Sequence, residues 1–212
     1  CQFSCYNPMQ WSDDDDAFHI QYQVTNETWK TYSIDDNDEN HYSDQKVSIP
    51  LGSKMKLRGM NDNDGFNKDT DLYLEFCFSK KVKIYGNIMS LIKPVTFASL
   101  TSIPPDSWFC FARLFGNDVT SDPVLDGYTQ NIVDVENLIL PATKLEYGCY
   151  YYMFSNTNIT KCPKLPATTL AEGCYYGMFS DCCLLENLEI LQLHLLDKSF
   201  QHLSSTFHDI RL

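Results

Sequence analysis

The sequence predicts an α+β chain: a small antiparallel, sandwich-like β-domain over 17–91, then a stack of short coils over 92–212 with a period of about 25 residues. Three observations predict it. Residues 17–91 alternate apolar and polar in short runs, the period of half-buried strands. Prolines then begin to punctuate the chain, at Pro94, Pro104, Pro105, Pro123, Pro141, Pro163 and Pro166. Finally, the phrase LPATKLEYGCYYYMF at 140–154 returns as LPATTLAEGCYYGMF at 165–179.

Residues 1–16 read as an acidic leader, because Asp13-Asp14-Asp15-Asp16 is a solvated, self-repelling run. Phe18, Ile20, Tyr22 and Val24 then form the first predicted strand. Val47, Ile49 and Leu51 form the next, with Met55 and Leu57 continuing after Gly52. Leu72, Leu74, Phe76 and Phe78 give another, and Val82 and Ile84 the last. Polar clusters at 35–40 and 61–69 supply the turns. The boundary with the second unit is expected between 90 and 100.

In the second unit the two clear coils are 140–164 and 165–189, and every matched position is offset by 25. Gly148-Cys149-Tyr150-Tyr151 matches Gly173-Cys174-Tyr175-Tyr176, and Met153-Phe154-Ser155 matches Met178-Phe179-Ser180. A degenerate copy occupies 101–139, where Cys110-Phe111 and Leu114-Phe115 lie 39 residues upstream of their counterparts, 14 more than the period. A fainter copy occupies 190–212, carried by Leu195, Ser199-Phe200 and Leu203. Leu170, Cys174 and Met178 are spaced by four and so share one face of a predicted short helix. Segments such as ITKCPKLP at 159–166 are expected to run extended, since proline disfavours helix. One extended piece and one short helix per coil is the layout of a leucine-rich-repeat solenoid. A single coil cannot bury its own apolar face, so the copies must stack.

The words LPATTLAEGCYYGMF and SDCCLLENL closely resemble the repeats of BspA-like leucine-rich-repeat surface proteins of host-associated anaerobic bacteria, which read LPATTLA-x-x-CYYxMFxxCxxL. YGNIMSLI at 85–92 and ENLILPATKL at 136–145 look like phrases that precede those repeats. Residues 22–60 look like the β-module of the same group, so the resemblance spans roughly 17–195. It implies a cell-surface or secreted protein with an adhesive or binding role. The chain departs from the pattern in having few intact repeats. Its tail, LQLHLLDKSFQHLSSTFHDIRL, has lost the repeat words, which reads either as a cap on the last coil or as a degraded repeat.

Composition narrows the function further. Hydrophobic residues make up 43% of the 212, enough for a core, and the formal net charge is −12. That charge argues against a nucleic-acid partner, whose phosphates need clustered Lys and Arg. No apolar run approaches the roughly 18 residues that cross a bilayer. The first residue is Cys1, which reads as a lipidated cysteine of an outer-membrane lipoprotein, tethered to the membrane, or as the product of trimming. The nine cysteines form no pair of CxxC units, so a structural zinc site is not expected.

Cys110, Cys149 or Cys174 with His194, His202 or His208 could form a nucleophilic pair. These cysteines occupy repeat positions, however, and the better reading is buried packing. A disulfide between Cys149 and Cys174 is geometrically conceivable. An EF-hand fails: with Gly65 at position 6, Met60, Asp62, Asp64 and Asp71 fall at positions 1, 3, 5 and 12, and Met60 cannot ligate calcium; a looser oxygen-rich site at 61–71 is the alternative to a polar turn, which is the better reading. Asn26 and Asn158 head glycosylation sequons, which mean little in a bacterial protein of the kind the resemblance implies. Neither a cofactor nor a metal is expected. The first Tyr of each Tyr-Tyr pair should pack, leaving Tyr151, Tyr152 and Tyr176 as the candidate exposed binding patch. The expected function is non-enzymatic binding of a protein or carbohydrate ligand. The alternative is a spacer or stalk module of a larger surface or phage-associated assembly. A contiguous exposed aromatic patch distinguishes the first from the second.

Overall fold

A computed structural model describes residues 1–6, 19–33, 45–59, 74–116, 131–182 and 184–185. They form ten short strands: β1 Gln2–Tyr6, β2 His19–Val24, β3 Lys30–Ser33, β4 Val47–Ser48, β5 Met55–Gly59, β6 Glu75–Phe78, β7 Val82–Lys83, β8 Gly86–Asn87, β9 Ile132–Asp134 and β10 Leu138–Ile139. The first six make two three-stranded antiparallel sheets, β4-β1-β6 and β3-β2-β5, neither of them closed. Ile20, Tyr22 and Val24 are buried while Gln21 and Gln23 are half-exposed, the alternation that one-sided burial imposes. Phe3 of β1 meets Tyr32 of β3 edge-on at 5.5 Å and Phe76 of β6 at 5.4 Å. The Tyr32 hydroxyl accepts from the Cys5 N–H and donates to the Gln45 carbonyl, so a buried polar atom ties the two sheets together.

Three expectations need correction here. Residues 1–6 are not leader: β1 is the central strand of its sheet, paired to β6 over four residues and to β4 over two. Phe3 and Cys5 are fully buried. The acidic run at 13–16 lies outside the described residues. Secondly, Leu51 is fully exposed, because β4 ends at Ser48 and Pro50 leads into a turn instead of a continued strand. Thirdly, β7 and β8 do not belong to the antiparallel sheets. They pair in parallel with β9 and β10, so the change in architecture comes before residue 91.

Parallel pairing continues beyond them as isolated bridges, Ser102 to Lys144 and Lys144 to Thr169. ITKCPKLP itself contributes no strand; the bridge falls after Pro166, where the amide donors resume. After each bridge comes a segment expected to be helical, and here lies the main departure from expectation. Among the described residues there is no α-helix, only 3-10 turns such as Ile88–Leu91 and Phe97–Ser99, so this described part is β-rich rather than α+β.

Residues 107–116, 147–156 and 172–181 are instead strings of turns. Alternate N–H groups bond within the segment to the carbonyl three residues back, as Tyr151 does to Gly148 and Met153 to Tyr150. The intervening N–H groups bond sideways to the next segment. Gly148, Tyr150, Tyr152, Phe154 and Asn156 donate to the carbonyls of Glu172, Cys174, Tyr176, Met178 and Ser180. Phe109, Phe111, Arg113 and Phe115 donate likewise to Tyr147, Cys149, Tyr151 and Met153. Left-handed backbone recurs every four residues, at Gly148, Tyr152 and Asn156 and again at Gly173, Gly177 and Asp181. The spacing of four therefore still places Cys149 and Met153, or Cys174 and Met178, on one buried side, through a four-residue turn repeat and not through a helix.

Equivalent rings lie over one another across these segments. Phe111, Tyr150 and Tyr175 stack with centroids 5.9 and 5.8 Å apart. Phe115, Phe154 and Phe179 do so at 5.6 and 5.7 Å. Phe76 of β6 touches Phe115, and its N–H bonds the Leu114 carbonyl. One apolar core thus runs from Phe3 to Cys182.

Candidate functional site

Away from the core, the turn segments carry a second set of aromatic rings. Trp108 lies edge-on to Tyr147 at 6.3 Å, and Tyr147 to Phe109 at 5.0 Å. Phe109 meets Tyr151 at 5.5 Å, and Tyr151 meets Tyr152 at 4.7 Å. Tyr176 closes the series, stacked on Tyr151 at 5.1 Å and edge-on to Tyr152 at 5.5 Å. The six rings form one unbroken strip across three neighbouring segments. Trp108, Tyr147 and Tyr176 are 45%, 41% and 36% exposed, so the strip reaches solvent. Phe109, Tyr151 and Tyr152 are half-buried beneath it.

The local backbone explains how these rings leave the core. Phe109 (φ 52°), Arg113 (φ 57°) and Tyr152 (φ 50°) are bulky residues in the left-handed region, which disfavours side chains with a Cβ. The neighbouring segment accommodates them with glycine. The Phe109 ring covers Gly148, and the Tyr152 ring covers Gly177, where an added Cβ would lie 2.5 Å from Tyr152 Cε1. Arg113 extends its guanidinium over the Tyr152 ring, 5.9 Å from the centroid. Strain of this kind persists only where surrounding structure holds it, and it concentrates at functional surfaces.

Of the residues expected from sequence, Tyr151, Tyr152 and Tyr176 are brought together here. Trp108, Phe109 and Tyr147 were missed. Their signal was the match of Phe109 to Gly148 across the longer 39-residue offset, which the insertion obscured. Charged residues lie close to these rings in the chain. Asp106 and Glu172 are exposed, and Lys144 pairs with Glu146 at 3.5 Å. The Glu172 backbone carbonyl accepts from the Gly148 N–H, next to Tyr147 in the chain.

Cys110, Cys149 and Cys174 are free and buried at equivalent places in successive segments. Burial pushes the thiols of Cys110 and Cys149 up, and that of Cys174 to about 11. This is the reverse of the shift that activates a nucleophile. Cys149 is raised additionally by both of its neighbours, Cys110 and Cys174. His194, His202 and His208 lie outside the described residues, as do the oxygen-rich loop at 61–71 and the tail coil at 190–212. Cys1 sits partly buried at the start of β1. Its backbone nitrogen donates to the Ile49 carbonyl at 3.0 Å, and its Sγ lies 3.8 Å from the Lys80 carbonyl. Among the described residues no group of three or more His, Cys, Asp or Glu is placed to hold a metal, and no helix is long and apolar enough to cross a membrane. No family model, no curated protein and no solved structure matches this chain.

Proposed function

We propose that the chain is a non-enzymatic interaction protein of the cell surface or extracellular space, which binds a protein or glycan ligand on the aromatic strip. The turn segments would act as a short leucine-rich-repeat-type solenoid of the BspA-like kind, with the antiparallel sheets as a supporting module. One observation carries the binding reading: six aromatic rings join across three segments and expose Trp108, Tyr147 and Tyr176 together. Exposed clusters of Trp and Tyr are the usual anchors of recognition surfaces. A spacer module has no need of such a cluster, and each aromatic exposed to water weakens its solubility. The solenoid reading is supported by ladders of backbone bonds linking residues 24 apart and by stacked rings 25 apart, together with side-chain pairs at the offset of 25, Lys161 with Glu136 and Thr157 with Cys182. Placement outside the cell rests on the resemblance of the repeat words.

The test is binding of the full chain to arrays of extracellular-matrix proteins and oligosaccharides, compared with a Trp108→Ala, Tyr147→Ala, Tyr176→Ala variant. All three positions are exposed, so the variant should unfold at nearly the same temperature as the parent. Loss of the array signals in the variant is the expected result. Signals that survive the triple change would place binding elsewhere, and no signal from the parent would leave the spacer reading in its place.

A further inference from the structure

We infer that the strip takes a protein segment presenting lysine or arginine side chains, an inference that rests on the binding reading above and narrows its ligand. Ring geometry is the first reason. Trp108 and Tyr147 stand at 76° to one another with centroids 6.3 Å apart, both well exposed. Two nearly perpendicular rings form a corner, and a cation lodged in it meets negative ring faces, which attract it electrostatically. Arg113, over the Tyr152 ring, already makes this type of contact at the far side of the strip.

Charge is the second reason. Asp106, two residues before Trp108, and Glu172, whose backbone carbonyl accepts from the Gly148 N–H next to Tyr147, are exposed. Their carboxylates make no hydrogen bond or ion pair among the described residues, so both are available to a ligand's ammonium or guanidinium. The rings themselves argue against a sugar. Tyr151 is stacked by Tyr176 at 13° and met edge-on by Phe109 and Tyr152, so the strip does not offer the run of open flat faces on which a sugar chain would lie.

The experiment is calorimetric titration of the full chain with a nonalysine peptide at low and at physiological salt. A Trp108→Ala, Tyr147→Ala variant leaves every charge in place. An Asp106→Asn, Glu172→Gln variant leaves every ring. Thermal unfolding checks that both remain folded. The expected result is that the aromatic variant binds about tenfold more weakly, the scale of a partly desolvated cation–π contact. The carboxylate variant should weaken binding by a similar factor at low salt and flatten its salt dependence. An aromatic variant that binds nonalysine as well as the parent would reduce the effect to bulk charge attraction and overturn the inference. Ring-dependent binding of neutral oligosaccharides without peptide binding would also overturn it, while the binding reading stood. Failure of the parent to bind peptide, matrix protein or oligosaccharide would remove both.

Discussion

Tyr150 sits fully buried between the rings of Phe111 and Tyr175, and its hydroxyl has no hydrogen-bond partner among the described residues. An unsatisfied buried hydroxyl costs about 1–3 kcal/mol. The equivalent position one segment earlier is Phe111, so the site accepts a ring without oxygen. Tyr150→Phe should therefore leave stability unchanged or raise it by about 1 kcal/mol in chemical denaturation; a loss of stability would mean the hydroxyl is bonded. The glycines allow a paired comparison. Gly173 and Gly177 both have left-handed backbone, but a Cβ at Gly173 finds nothing nearer than 4.0 Å, whereas at Gly177 it runs into the Tyr152 ring. Gly173→Ala should cost about 1 kcal/mol, for its backbone alone. Gly177→Ala should cost more, about 2–3 kcal/mol, because the Tyr152 ring must also move. The same denaturation series, with Trp108 fluorescence reporting on the strip, checks the order. Equal losses would deny that Tyr152 is seated on that glycine.

At the scale of elements, β1 joins β4 to β6, and its Phe3 touches Tyr32, Phe76 and Phe78. Phe3→Ala should lower the unfolding free energy by about 3–5 kcal/mol. A change under 1 kcal/mol would return residues 1–6 to the role of a leader. The alternation of Phe3 and Cys5 with Gln2 and Ser4 was visible in the sequence, but Asp13–Asp16 dominated the reading of that stretch. The turn segments were misread for a different reason. A helix of 3.6 residues per turn and a four-residue turn repeat both place i and i+4 on one side, so Leu170, Cys174 and Met178 could not separate them. Gly173 and Gly177 could have, since two glycines in two turns weaken a helix yet suit left-handed positions four apart.

At the scale of the whole molecule, six buried or partly buried thiols among the described residues have raised pKa values: Cys5, Cys77, Cys110, Cys149, Cys162 and Cys174. Desolvation is the leading cause for each; Cys162 is pushed to about 12 and Cys174 to about 11. An unfolded thiol ionises near 9.0. Below that pH both states hold the proton and the thiols leave stability unaffected by pH. Above it the unfolded chain releases protons that the folded chain retains, so stability falls, by up to about 1.4 kcal/mol per pH unit for each thiol. Unfolding midpoints should therefore hold steady between pH 7 and 8.5 and drop steeply from pH 9 to 11; a flat profile through pH 11 would show the thiols to be hydrated. Much of this molecule is determined by sequence alone. The alternation of Ile20, Tyr22 and Val24 marks strands, and the offset of 25 between Cys149-Tyr150 and Cys174-Tyr175 marks equivalent positions, because burial period and repetition are properties of the chain in one dimension. Tertiary structure decided which strand sits at a sheet's centre, that turns replace helices, and that Trp108, Phe109 and Tyr147 join Tyr151, Tyr152 and Tyr176. Those outcomes depend on which distant backbone groups bond one another, and on rings reaching over glycines in a neighbouring segment, and the order of residues along the chain does not encode either contact locally.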